Sequence, residues 1–91
     1  MLLGELLNVF VVQKGVYGDD LNGIKTNGIY RIKEGSYNGP ITETLNGSVV
    51  QHVEWDTNAA VQLIFVFYEK TSYFRFRTSG TWGIWKKIKT E

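Results

Sequence analysis

The sequence predicts a mainly β fold: a small antiparallel β-sheet domain of about six short strands with at most one short helical turn. Three observations carry this expectation. Short runs rich in β-branched and aromatic residues recur along the chain, and turn residues separate them. Four glycines follow asparagine, at Asn22-Gly23, Asn27-Gly28, Asn38-Gly39 and Asn46-Gly47. Asn-Gly favours turns because both residues tolerate positive φ, so the first half is rich in loops and its elements are short. The chain also holds thirteen aromatics and no cysteine (three Trp, five Tyr, five Phe). Full burial of one large aromatic contributes roughly 3 kcal/mol, so these rings can hold a small sheet together without disulfides.

Taken in order, residues 6–12 read as the first strand. An aspartate pair, Asp19 and Asp20, then precedes Leu21, and an aspartate can cap a helical turn over residues 20–24. Gly23 and Gly28 keep that turn short. Residues 29–33 alternate as a strand. Pro40, in "NGPI", keeps residues 38–41 out of any central strand. In residues 48–55, Val49, Gln51, Val53 and Trp55 share one face, which is expected to point inward, and His52 and Glu54 share the other. Residues 61–68 are apolar on both faces, the mark of a central or doubly covered strand. "EKTS" at 69–72 is a hairpin loop. Residues 73–78 return with Phe74 and Phe76 expected inward and Arg75 and Arg77 outward. Gly80 turns the chain into a last strand over residues 82–89.

Ninety-one residues make one domain, 1–91. The net charge of +1 does not suggest a general nucleic-acid binder. Its distribution is uneven. Residues 1–69 carry four basic and eight acidic side chains; residues 70–91 carry six basic ones against Glu91. The basic charge therefore sits in the C-terminal hairpin. No segment has the roughly 18 apolar residues of a membrane span, so no membrane insertion is expected. The apolar start, "MLLGELLNVFVV", lacks a basic leader and contains Glu5, which argues against a signal peptide.

Several residue groups invite chemical readings. His52, the single histidine, has no serine or cysteine nucleophile in a recognisable motif near it and reads as a partly exposed strand residue. Glu54 and Asp56 lie two apart at a strand end, and paired carboxylates can hydrolyse glycosides. Solvation explains Glu54 as well, and the chain is short for a sugar-cleaving groove. Asp19, Asp20 and Asn22 offer oxygens, but their spacing is not that of a helix–loop–helix calcium site; a turn and cap account for them, and no metal or cofactor is expected. Arg75, Phe76 and Arg77 are similar to the aromatic strand of an RNA-recognition sheet, but the glycine-aromatic motif and the two covering helices are absent. Trp82 and Trp85, three apart, would point to opposite faces of a regular strand unless Gly83 allows a bulge.

The order of "DLNGIKTNGIYRI" (20–32), "NGP" (38–40), "VQLIF" (61–65) and "YFRFRTSGTWGIWKKI" (73–88) resembles the knob domain of pyocin and bacteriophage tail fibres. The resemblance runs over about residues 20–88. Asp20, Leu21, Asn22, Gly28, Tyr30 and Pro40 match its structural motif, as do Trp82 and Trp85. Asn27 stands where the family often has Pro, which keeps turn chemistry but loses rigidity. The resemblance implies a non-enzymatic, trimeric fibre module at the tip of a virion tail, made in the host cytoplasm. Such fibres attach to host surface glycans such as lipopolysaccharide or wall teichoic acid. Tyr73, Arg75, Arg77, Trp82, Trp85 and Lys86 are the candidate ligand contacts, since rings stack on pyranoses and arginines bind phosphate or carboxylate. The rival expectation is a spacer that only trimerises and positions the fibre. A glycan hydrolase using Glu54 and Asp56 is a further alternative.

Overall fold

The structure, a computed structural model, describes residues 13–42 and 44–88. These residues form seven strands and one 3-10 turn: β1 (Gln13–Tyr17), the turn (Leu21–Gly23), β2 (Gly28–Ile32), β3 (Val49–Glu54), β4 (Ala60–Val66), β5 (Thr71–Thr78), β6 (Thr81–Trp82) and β7 (Lys86–Lys87). The expected strand at residues 6–12 lies outside the described residues. The strands make one sheet in the order β1-β2-β3-β4-β5-β6, with β7 also pairing on β5. β1 runs parallel to β2, and every other pair is antiparallel. The mainly β class, the central place of the doubly apolar β4 and the single helical turn are as the sequence predicts.

One face of this sheet is closed. Its inner side carries Tyr30 and Ile32 from β2, Val50 from β3, and Ile64 and Val66 from β4, all buried. A lid built from the 3-10 turn and the loop before β3 lies over them and contributes Leu21, Ile24 and Leu45. The lid has local causes. Asp20 caps the turn by accepting the Asn22 amide at 2.9 Å, and its carboxylate also accepts the Asn38 side-chain amide at 2.7 Å. Tyr17 donates its hydroxyl to the Asp20 carbonyl, and Tyr30 to the Thr26 carbonyl. Within the loop, Asn38 takes φ 65°, and a Cβ at Gly39 would fall 2.5 Å from a Leu45 methyl. This Asn-Gly pair therefore supplies both a left-handed residue and a close approach. Replacing Asp20 with alanine removes the cap and the Asn38 bond together. It is expected to cost about 1–2 kcal/mol, measured as a shift in the urea midpoint at unchanged slope.

The inward face is the reverse of the one expected from parity. On β3, Val50 and His52 are buried, whereas Val49, Gln51 and Val53 are only partly covered and Trp55 is 85% exposed. On β5, Arg75 and Arg77 are buried, whereas Phe76 is exposed and Phe74 half-buried. Alternation shows which residues share a face, not which face is covered. Here the lid lies on the side that holds the polar residues. The other side, with Val49, Val53, Val61, Leu63, Phe65 and Phe76, is an open and largely apolar surface.

Candidate functional site

Cross-strand register builds the site. Gly28 sits opposite His52, His52 opposite Gln62, and Gln62 opposite Arg75. The four residues form one row across β2–β5 on the closed face. His52 and Gln62 are fully buried and Arg75 is 4% exposed. Three polar side chains in such a place must satisfy one another, because a buried unpaired polar group costs about 1–3 kcal/mol.

They do so through the Gln62 amide. Its Oε1 accepts a fork from Arg75, at 2.9 Å from Nε and 2.7 Å from a terminal nitrogen. Its Nε2 donates to the Leu21 carbonyl at 2.8 Å and lies 3.1 Å from His52 Nδ1. With the amide oriented by Arg75, Nδ1 must be an acceptor. His52 therefore carries its proton on Nε2, which donates to Glu54 at 3.0 Å. Glu54 is also 3.2 Å from the Arg77 guanidinium, which in turn donates to the Asp56 carbonyl at 2.7 Å. The polar chain thus runs from the β3–β4 loop to the lid without a break.

Two tryptophans close the row. The Arg75 guanidinium carbon lies 4.3 Å from the Trp82 ring centroid and 4.4 Å from that of Trp85. Both indoles share a side because the last strand is bulged. Trp82 pairs with Arg77 and Lys86 with Phe74, so three residues, 83–85, face the two at 75–76. Gly83 keeps one bond across the bulge, to the Phe76 carbonyl at 2.7 Å. The extra residue shifts the phase, and Trp85 lands beside Trp82. Trp85 also donates its indole N–H to the Asn38 carbonyl at 2.9 Å, which fastens the closing hairpin to the lid.

Electrostatics follow from this enclosure. Burial lowers the Arg75 pKa to about 10, which still leaves it charged at neutral pH. Burial also lowers the His52 pKa, against the pull of Glu54 and with added push from Arg77 and Arg75. For Glu54, burial acts upward, but the hydrogen bonds from His52 and Arg77 outweigh it and the net shift is down.

The expected ligand contacts therefore divide. Arg75 and Arg77 point inward, and Trp82 and Trp85 are half-buried against Arg75. Tyr73 is half-buried, its hydroxyl bonded to Glu69 and its ring 6.0 Å from the Lys87 ammonium. Lys86 is exposed. Glu54 joins the buried network, and Asp56 caps its own loop by accepting the Asn58 and Ala59 amides. Asp19 accepts the Asp20 amide. Sequence reasoning named His52 and the strand that holds Gln62 but missed that the two are buried partners. The available signal was Gln62 itself, a lone polar residue within the apolar run "AVQLIFV".

No family model and no curated protein matches the chain. Among solved structures, the chain is similar to the selenomethionine structure of an N-truncated R2-type pyocin tail fiber, with a TM-score of 0.69 and 21% identity. The match covers 85% of this chain and 32% of the fiber chain, so this chain spans about a third of that truncated chain's length. At this identity the likeness is one of fold.

Proposed function

We propose that this chain is a non-enzymatic module of a phage or phage-like tail fibre that acts in host-cell adsorption, assembled as a homotrimer at the knob of the fibre. The carrying observation is the fold shared with a stretch of pyocin tail fiber, joined to a sheet with one closed and one open apolar face. A sheet face rich in Val, Leu and Phe needs a cover in water, and symmetric copies of the same chain supply one. The ligand class that suits adsorption is a surface polysaccharide such as lipopolysaccharide or teichoic acid. Among the described residues no helix is long and apolar enough to cross a membrane, and the proposed location is the virion tail.

Two measurements test this reading. Sedimentation of the 91-residue chain is expected to show a trimer, and Leu63→Asp, in the middle of the open face, is expected to give a monomer. A monomeric wild type would overturn the assembly. Fluorescently labelled protein is expected to stain cells within a panel of Gram-negative and Gram-positive bacteria. An intact trimer that stains none of them would favour a second reading, the spacer module. The inward-facing clasp supports that second reading: Arg75, Trp82 and Trp85 serve the fold and are withdrawn from any outer binding strip.

A further inference from the structure

We propose that the loop end of the sheet around Trp55 is a carbohydrate-binding surface, with the Trp55 indole as the stacking platform for a neutral pyranose ring. This rests on the adsorption reading above and places its ligand contact away from the basic hairpin. Trp82 and Trp85 are stacked on Arg75, whereas Trp55 is 85% exposed. Leaving one indole in water forgoes the stabilisation its burial would contribute, which makes its position a feature to explain.

The loop that presents it is held firmly. The Trp55 amide donates to the Ala59 carbonyl at 2.8 Å, and the Asp56 carboxylate accepts the Asn58 and Ala59 amides at 2.7 and 3.0 Å. Asn27 brackets the Glu54 backbone from the neighbouring loop, accepting its amide at 2.6 Å and donating to its carbonyl at 3.3 Å. Arg77 donates to the Asp56 carbonyl, and the Gly80 amide ties the β5–β6 turn to the Asn58 carbonyl at 3.3 Å. An aromatic on such a loop loses little freedom on binding, the usual requirement for an anchoring contact.

The surroundings specify the ligand class. Thr57, Asn58, Ser79 and Thr81 are exposed at the same end of the sheet and offer uncharged donors and acceptors. Lys86 and Lys87 pair with Phe74 and Tyr73, toward the far end of β5 from Thr78. The tip thus combines a flat apolar ring with hydroxyls and an amide, and the adjacent carboxylate, Asp56, disfavours an anion. That chemistry fits a neutral hexose unit of a polysaccharide better than a phosphate-rich chain.

The test compares the wild-type chain with Trp55→Ala and Trp55→Phe on an array of neutral hexose oligosaccharides, lipopolysaccharides and teichoic acids, with sedimentation run on each variant. Wild type is expected to bind neutral hexose structures, with intrinsic tryptophan fluorescence changing on titration. Trp55→Ala is expected to lose more than about tenfold in affinity while keeping oligomeric size and melting temperature; Trp55→Phe should retain part of the binding. Unchanged affinity in Trp55→Ala overturns the site but leaves the adsorption reading standing. Preference for phosphate-rich glycans overturns the ligand class. Dissociation of the Trp55→Ala oligomer identifies a subunit contact instead, since Trp55 continues the parity of the open face. Absence of wild-type binding to every glycan and every cell in the panel removes both the site and the adsorption reading.

Discussion

Replacing Arg75 with alanine is expected to destabilise the fold by about 3–5 kcal/mol, counting the orphaned Gln62 oxygen and two lost cation–π contacts. Each contribution follows from geometry. Gln62 Oε1 is buried and its described partners are the two Arg75 nitrogens. Removing them leaves an acceptor that water cannot reach. Trp82 and Trp85 lose the cation between them, and the space it occupied becomes a void. Arg75→Lys separates the effects. It keeps a charge between the rings but cannot form the planar fork, so it should lose about half as much. Urea unfolding followed by tryptophan fluorescence, at fixed protein concentration, measures both. A loss below about 1 kcal/mol for Arg75→Ala would be an ordinary surface effect and would show that the clasp does not hold the hairpin to the lid.

The second expected result is a loss of stability in mild acid. The His52 pKa lies below its ordinary 6.5, chiefly through burial. The unfolded chain therefore takes up this proton at a higher pH than the folded one. Stability from this group is complete above about pH 6.5 and falls as pH drops from there through the folded pKa, at no more than about 1.4 kcal/mol per pH unit. Hydrogen-bond polarity explains why the fold resists the proton. A proton on Nδ1 would face the Gln62 amino group, donor against donor. Flipping the amide would turn its amino group toward Arg75 and its oxygen toward the Leu21 carbonyl, so one protonation disturbs every partner. Glu54, also lowered, adds its own loss below its ordinary value of 4.5. Melting temperature is thus expected to fall as pH drops from about 6.5 to 5.5. His52→Leu should flatten that interval even if it melts lower throughout, because Gln62 keeps the Leu21 carbonyl and Glu54 keeps Arg77. Equal acid sensitivity in the variant would assign the effect elsewhere.

Features set within a few residues were legible in the sequence. Asp20 caps the turn that its chemistry predicts, Asn38-Gly39 turns the chain, and Gly28 enters β2 at φ 149°, a backbone that glycine adopts without cost. The strands from β2 to β5 were legible too, because β-branched and aromatic runs between turn residues have few other conformations open to them; β1, the glycine-containing Gln13–Tyr17, was not. The orientation of the sheet was not. β3, β4 and β5 carry apolar side chains on both faces, and the usual rule assigns the polar side of a strand to water. That rule fails where polar groups satisfy one another. His52, Gln62 and Arg75 come from three strands, and only their alignment in one row completes their hydrogen bonds. The two tryptophans illustrate the same limit, since a single extra residue opposite 75–76 decides their side. By itself, then, the sequence determined the β class, the turns and most of the strands, all products of short-range backbone preference. The tertiary structure alone decided which face is core, because burial of a charged guanidinium depends on partners far apart in the chain meeting in register.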